Sequence, residues 1–114
     1  MAYGTVNTPS SPAQGGGKRL ILATIGTNWT DNAANGTKEQ FIPIEEITDQ
    51  HDVSIYPVDI HEETIEGHAM FTEEKNQFLQ HVTNGTSKTV DGGIKIIIFK
   101  EAPTIAVPIG VEVI

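Results

Sequence analysis

The chain contains no cysteine, so its 114 residues cannot form a disulfide, a thiolate metal site or a cysteine nucleophile. It also has no apolar run near the ~20 residues that a membrane-spanning helix needs. Its opening stretch, MAYGTVNTPSSPA, lacks the basic start and apolar centre of a signal peptide, so we expect no secretion by the usual route and no membrane span. The length suits one domain that buries a core without covalent staples.

Basic side chains are scarce as well: seven Lys and Arg stand against fifteen Asp and Glu, for a net charge of −8. Residues 1–19 contribute +2 through Lys18 and Arg19, which leaves −10 for residues 20–114. A surface this acidic is repelled by phosphate backbones, so the composition predicts no nucleic-acid partner. The acidity favours solubility instead.

The first 17 residues offer little from which to build a core, because they hold two prolines, four glycines and only two sizeable apolar side chains. The glycine run at 15–17 is a flexible joint with a high entropy of ordering. Two interpretations stay open: a disordered tail, or an extended arm that becomes ordered on a neighbouring subunit. The second assigns residues 1–18 to an attachment arm and residues 19–114 to the folded domain. The residues predicted to attach are Tyr3, Val6, Lys18 and Arg19.

From residue 19 onward, short apolar segments alternate with turn signals. RLILATI, KEQFIPI and VSIYPVD are predicted strands. Pro43 places the second of them at a sheet edge or a bulge, and the third also contains a proline, Pro57. The turn signals are Asn35-Gly36, Asn84-Gly85 and Asp91-Gly92-Gly93.

The two closing strands carry the most regular pattern. IKIIIF is apolar on both pleat faces, which is typical of a strand in the middle of a sheet. Ile94, Ile96 and Ile98 are therefore assigned to the core or to an oligomer interface. The final strand points five β-branched side chains to one face, namely Ile105, Val107, Ile109, Val111 and Val113.

One segment, TEEKNQFLQHV, predicts a helix. Thr72 can cap it, Glu73 and Glu74 suit its first turn, and Gly67 disfavours a longer helix. We expect about two to three turns. With five to seven short strands and regular turn signals, the sequence predicts an all-β fold, a small antiparallel β-sandwich with one short helix and an extended N-terminal arm.

Catalytic and metal-binding patterns are weak. His61 and His68 flank acidic residues, but no zinc signature matches, so we interpret them as surface histidines in an acidic loop. Adjacent carboxylates diverge on strands and helices, so such pairs are interpreted as solvated charges. We therefore predict no catalytic residue, no metal site, no cofactor and no enzyme activity. The carboxylate pairs are Glu45-Glu46, Glu62-Glu63 and Glu73-Glu74.

Trp29 is the single tryptophan and lies beside a polar, turn-rich loop. Its ring can stack on a sugar, with Tyr56 as a second contact, or it can fold back and cap the core. The second interpretation is favoured. The first is kept as an alternative, in which the protein is a glycan- or receptor-binding module.

Residues 20–114 resemble a small β-sandwich module that recurs in structural proteins of tailed bacteriophages, often at the C-terminal end of head or tail fibres. The resemblance follows the order ATIGTNWT, KEQFIPIEEITDQHDVSIYPVD, TEEKNQFLQHV and GGIKIIIFKEAPTIAVPIGVEVI. The opening MAYGTVN is also similar to the start of several phage virion proteins. The closing strand pair is carried by Ile94, Ile96, Phe99, Pro103, Thr104, Pro108, Ile109, Val111 and Val113.

The resemblance implies a non-enzymatic virion protein, made in the cytoplasm of a bacterial host and assembled into the particle. Because seventeen residues precede the module here, where fibre proteins have a long shaft, we expect a capsid decoration protein (a cement or head-fibre protein) attached through its N-terminal arm. The alternative is a tail or baseplate fibre or adaptor that binds a host receptor or glycan. The expected partners are a major capsid protein or a tail protein, and the module is expected to form a homotrimer.

Overall fold

The computed structural model describes residues 19–114, which form seven strands and one helical segment. The strands are β1 (Arg19–Ile25), β2 (Thr30–Asn32), β3 (Thr37–Pro43), β4 (Val53–Pro57), β5 (Thr86–Val90), β6 (Gly93–Phe99) and β7 (Val107–Val113). Helix α1 (Ile65–Gln77) continues into a π-helical stretch, Phe78–Val82.

The strands form two antiparallel sheets that pack face to face. Sheet A has the order β1-β7-β4, and sheet B has the order β2-β3-β6-β5. β1 pairs with β7 over all seven of its residues, from Arg19 opposite Val113 to Ile25 opposite Val107. The prediction of an all-β sandwich with one helix is confirmed. The predicted arm, residues 1–18, lies outside the described residues.

The centre of the sandwich is made by β6 and β7, each of which lies inside its sheet. The side chains that these strands bury completely are Ile94, Ile96, Ile98, Val107, Ile109 and Val111. On the outer face of β6, Lys95 and Ile97 are half-buried, and Phe99 is 52% exposed. The strand thus supplies the core through alternate residues, and its buried isoleucines need no second subunit to cover them.

The turns show why two glycines are needed. Gly36 between β2 and β3 and Gly92 between β5 and β6 have φ of 68° and 89°, in the left-handed region that favours glycine. Both positions agree with the predicted turns. The predicted edge position of the strand with Pro43 is wrong: β3 lies inside sheet B between β2 and β6, and Pro43 is its last residue, beyond the part that pairs with β2. Pro57 ends β4, an edge strand of sheet A where proline removes no ladder hydrogen bond.

The helix begins earlier than predicted. Its N-cap is Thr64, whose hydroxyl accepts a hydrogen bond from the backbone N–H of Gly67 at 2.9 Å. Thr72, the predicted cap, lies inside the helix and donates from its hydroxyl to the carbonyl of His68 at 2.8 Å. Gly67 does not limit the helix, because its backbone lies against the preceding loop: a Cβ there would be 2.0 Å from the carbonyl oxygen of Glu62.

Candidate functional site

The predicted attachment segment joins the sandwich at one end of sheet A. Arg19 is the first residue of β1 and is exposed, and its guanidinium lies 3.6 Å from the carboxylate of Glu46. Such an exposed ion pair contributes little, about 0–1 kcal/mol, so Arg19 is not tied down by it. The other three residues predicted to attach, Tyr3, Val6 and Lys18, lie outside the described residues.

Trp29 lies where the chain crosses from β1 in sheet A to β2 in sheet B. Its ring is partly buried against the core, and its indole Nε1 is buried with no hydrogen-bond partner among the described residues. Gln40 holds the crossing segment: its side-chain amide accepts from the N–H of Gly26 at 2.7 Å and donates to the Gly26 carbonyl at 3.0 Å. The packing agrees with the interpretation of Trp29 as a cap on the core.

Tyr56 lies elsewhere, on the outer face of sheet A. Its ring covers Gly110 of β7, where an added Cβ would come within 2.8 Å of the tyrosine Cε1. Burial and, secondarily, the negative charge of Glu112 raise the pKa of the Tyr56 hydroxyl above its usual value. Trp29 adjoins the β1 edge of sheet A and Tyr56 lies on the opposite edge strand, so the fold does not bring the two predicted glycan contacts together.

The least exposed ion pair within residues 19–114 joins His61, in the loop before α1, to Glu74 in the helix. His61 Nε2 lies 2.9 Å from both carboxylate oxygens of Glu74, and the two side chains are 14% and 10% exposed. Two interpretations from the sequence are therefore wrong: His61 is not a surface histidine, and Glu74 is not a solvated charge. Both side chains hold the loop against the helix.

Glu74 could have been recognised from its position along the helix. It falls between Phe71 and Phe78, at the three- and four-residue spacing of one helix face, which also includes Gly67. His68, by contrast, is exposed and takes no part in the contact between His61 and Glu74. Within residues 19–114, no group of three or more His, Cys, Asp or Glu side chains is placed to hold a metal ion.

A groove of about 280 Å³ opens between the edge strands β4 and β5, and no local pattern in the sequence indicates it. Val53 and Ile55 of β4 line one wall of the groove, and Ile96 of β6 also lines it. Phe78 and Val82 of the π-helical stretch close one side. The remaining lining residues are Thr83, Gly85, Thr86 and Ser87, so no charged side chain of the described residues lines the groove.

The backbone of β4 directs unpaired groups away from β7. The N–H of Ile114 donates to the Asp52 carbonyl at 2.9 Å, and the N–H of Val58 donates to the Pro108 carbonyl at 3.1 Å. Because hydrogen-bonding residues alternate along an antiparallel pair, the even-numbered residues of β4 bond to β7. Val53 and Ile55 therefore turn their N–H and C=O groups to the free edge, where residues 19–114 provide no backbone partner.

Comparisons of the chain with protein-family models, with curated proteins and with solved structures gave no match. Among residues 19–114, no helix is long and apolar enough to cross a membrane.

Proposed function

We propose that the protein is a non-enzymatic structural component of a bacteriophage virion. It decorates the capsid, holding on through residues 1–18, while the sandwich of residues 19–114 faces solvent. The resemblance of residues 20–114 to phage sandwich modules supports the class of protein. The expected partner is the major capsid protein, and the protein is proposed to act in the particle after synthesis in the bacterial cytoplasm.

The proposal that the arm attaches the domain rests on composition: residues 1–17 hold two prolines and four glycines and offer little from which to build a core. The core cluster is assembled from side chains of the strands, of the π-helical stretch and of the loop after β3. Because of this composition, we assign residues 1–18 to a contact outside the domain. Tyr3 and Val6, their sizeable apolar side chains besides Met1, are the proposed anchors.

The enclosed polar groups favour a structural role over a catalytic one. His61 and Glu74 are directed at each other, and both are at most 14% exposed on their side chains. A general acid or base has to reach a substrate, and the groove between β4 and β5 has only apolar and small neutral side chains on its described walls. These features support the proposal that the protein acts by binding.

A homotrimer is part of the proposal, because the phage modules that the sequence resembles commonly form trimers. A tail or baseplate position is the alternative site of attachment, and it differs from the capsid position in the surface that receives the arm. Separated heads and tails from the same particles distinguish the two, since the protein binds one of them and not the other.

The test is rebinding to particles that lack the protein. Full-length protein is expected to cosediment with them, and a variant lacking residues 2–17 is expected to fold but to lose binding. Tyr3→Ser with Val6→Ser should weaken binding at least about a hundredfold, because burying each side chain contributes about 1.5–3 kcal/mol. Leu22→Ser, which changes an apolar side chain that is 64% exposed on β1, is the matched control and should bind normally.

If the protein without residues 2–17 is folded by circular dichroism and binds particles with the affinity of the full chain, residues 1–18 are not the attachment arm. Failure of the full-length protein to bind either heads or tails removes the virion proposal itself.

A further inference from the structure

We propose that the outer face of sheet B binds the exposed side of helix α1 of a neighbouring copy of the chain. The inference rests on the homotrimer in the proposed function, and it names the two surfaces that meet in that trimer. A cyclic trimer needs two different, complementary surfaces on each subunit, because one surface that meets its own copy closes a pair. The exposed apolar and charged side chains identify one surface of each kind.

The outer face of sheet B supplies exposed apolar side chains. Phe41, Ile97 and Phe99 point away from the core, because they alternate along β3 and β6 with buried isoleucines. Phe41 and Phe99 are 50% and 52% exposed. The Phe41 ring lies over Gly93, where an added Cβ would be 2.8 Å from the phenylalanine Cζ. Apolar side chains grouped in this way on one face mark an interaction surface.

Two lysines give the same face a charge opposite to that of the domain. Lys95 is directly opposite Phe41 on one side and Lys88 on the other, so the three side chains form a row across the sheet. Like charges directly opposite each other destabilise a sheet. Glu39 lies 3.6 Å from Lys95, and Lys88 makes no ion pair within residues 19–114. Since residues 20–114 carry a net charge of −10, acidic surface of another copy can relieve this repulsion.

Helix α1 exposes a side with the complementary character. Four exposed residues follow the i, i+3, i+4, i+7 spacing of one helix side, namely Glu66, Ala69, Met70 and Glu73. Met70 is half-exposed and lies between the two carboxylates. Lys75 points to another side of the helix, with its Nζ 5.5 Å from the centre of the Phe71 ring. The side that contains Met70 is therefore apolar at its centre and acidic at both ends.

The two surfaces also match in size. The 13 residues of α1 extend about 20 Å, and the seven residues of β6 extend about 23 Å. A helix about 10 Å wide covers two to three strands spaced ~4.8 Å apart, which here are β3, β6 and β5. Packing of a helix on a sheet is a common way to bury the apolar side of both. We place Met70 against Phe41 and Ile97, with Glu66 and Glu73 toward the two lysines.

One subunit cannot bring its own two surfaces together. Phe78 and Val82, which follow α1 directly, line the groove between β4 and β5, so the helical segment lies at that flank of the sandwich. The exposed side of α1 points away from its own domain, because Gly67, Phe71 and Glu74 are on the side that faces it. A contact of this side with sheet B therefore joins different surfaces of two copies, and such contacts can close a ring.

Charge reversal tests the inference on the full-length chain. Lys88→Glu with Lys95→Glu reverses the sheet surface, and Glu66→Lys with Glu73→Lys reverses the helix surface. A further chain carries all four changes, so that its two surfaces are again complementary, with exchanged signs. Lys75→Glu, on another side of the same helix, is the matched control. Circular dichroism and urea unfolding establish that each variant is folded.

Light scattering gives the result. We expect three times the 12.3 kDa chain mass for the parent, for Lys75→Glu and for the chain with four changes, and 12.3 kDa for each chain with one reversed surface. Met70→Glu, at an exposed helix position, should also have the mass of one chain and serves if the reversed sheet does not fold. A parent with the mass of one chain, a trimer that persists after both reversals, or a folded four-change chain that stays monomeric would overturn the inference.

Rebinding of the same variants to particles makes the inference and the proposed function fail separately. A trimer that each reversal dissociates, without particle binding by the parent, keeps the two surfaces and removes the virion role. A trimer that neither reversal affects keeps the homotrimer and removes these surfaces. If Lys88→Glu with Lys95→Glu leaves the mass unchanged but abolishes particle binding, the face binds an acidic capsid surface, and the inference is overturned.

Discussion

Gly67→Ala should destabilise the protein, although the same change in an ordinary helix stabilises it. Glycine inside a helix costs about 1 kcal/mol relative to alanine, so helix propensity alone predicts a gain of that size. In this helix the added Cβ would lie 2.0 Å from the carbonyl oxygen of Glu62 and 3.2 Å from the hydroxyl oxygen of Thr64. A carbon and an oxygen in contact stay about 3.3 Å apart or more, so the loop has to move by more than about 1 Å.

The expected net loss is about 1–3 kcal/mol. Moving the loop weakens the cap that the Thr64 hydroxyl provides to the N–H of Gly67, a contribution of about 1 kcal/mol. Crowding against backbone atoms adds about 1–3 kcal/mol, and the propensity gain offsets roughly 1 kcal/mol of the total. The sign therefore depends on the contact with Glu62, not on the helix itself.

Urea unfolding followed by circular dichroism measures the change as a shift in midpoint at constant slope. Ala69→Gly, at an exposed position of the same helix, is the control and should cost about 1 kcal/mol by propensity alone. A Gly67→Ala variant as stable as the parent, or more stable, would refute the close approach of the helix to Glu62.

Three other changes test the packing. His61→Ala should lower the free energy of unfolding, measured in urea, by about 2–3 kcal/mol, because it leaves the enclosed Glu74 carboxylate without its partner. Glu74→Gln keeps a hydrogen-bond acceptor and should lower it less. A larger loss for Glu74→Gln than for His61→Ala would contradict the contact. Ile96→Ala should lower the free energy of unfolding by about 2–5 kcal/mol and leave the mass measured by light scattering unchanged, because this side chain is fully buried in the core. A smaller mass at unchanged stability would instead place the side chain at an interface between subunits. In a variant with tyrosine only at position 56, absorbance should show ionisation above pH 10.0, because burial and Glu112 raise the pKa of Tyr56. Because the charged form of the Tyr56 hydroxyl is disfavoured in the folded state, its contribution to stability is present below the unfolded-state pKa and is lost as pH rises through the folded-state pKa. Ionisation at or below pH 10.0 in the absorbance titration would contradict the placement of the Tyr56 ring.

The elements that can be predicted from the sequence are those set by local pattern. β6 and β7 follow from their apolar residues, and the turns at Gly36 and Gly92 from their dipeptides, because strand pleat and left-handed backbone depend on a few neighbouring residues. The start of α1 cannot be predicted in this way. Glycine occurs inside the helix at position 67 because the carbonyl oxygen of Glu62 lies too close for a Cβ, and helix propensity does not include such a contact.

The candidate site is harder to predict because it depends on which strands become neighbours. Nothing in VSIYP or TSKTV alone indicates that β4 and β5 are both edge strands with a groove between them; that follows from the sheet order. Similarly, the contact of His61 with Glu74 joins a loop residue to a helix residue thirteen positions away. Burial of the Glu74 carboxylate cannot be predicted from the helix pattern alone, because it depends on a partner that the loop supplies. The attachment residues Tyr3 and Val6 stay a prediction.

The central claim is that this chain is a component of a virion, and the most direct measurement is quantitative mass spectrometry of gradient-purified particles. The account requires these to be particles of a phage or induced prophage whose genome encodes the chain. The account predicts peptides of the chain in the particle fraction, at a fixed ratio to the major capsid protein, and their loss when residues 2–17 are deleted from the gene. Purified, infectious particles free of the chain, with the protein present only in the lysate, would contradict it.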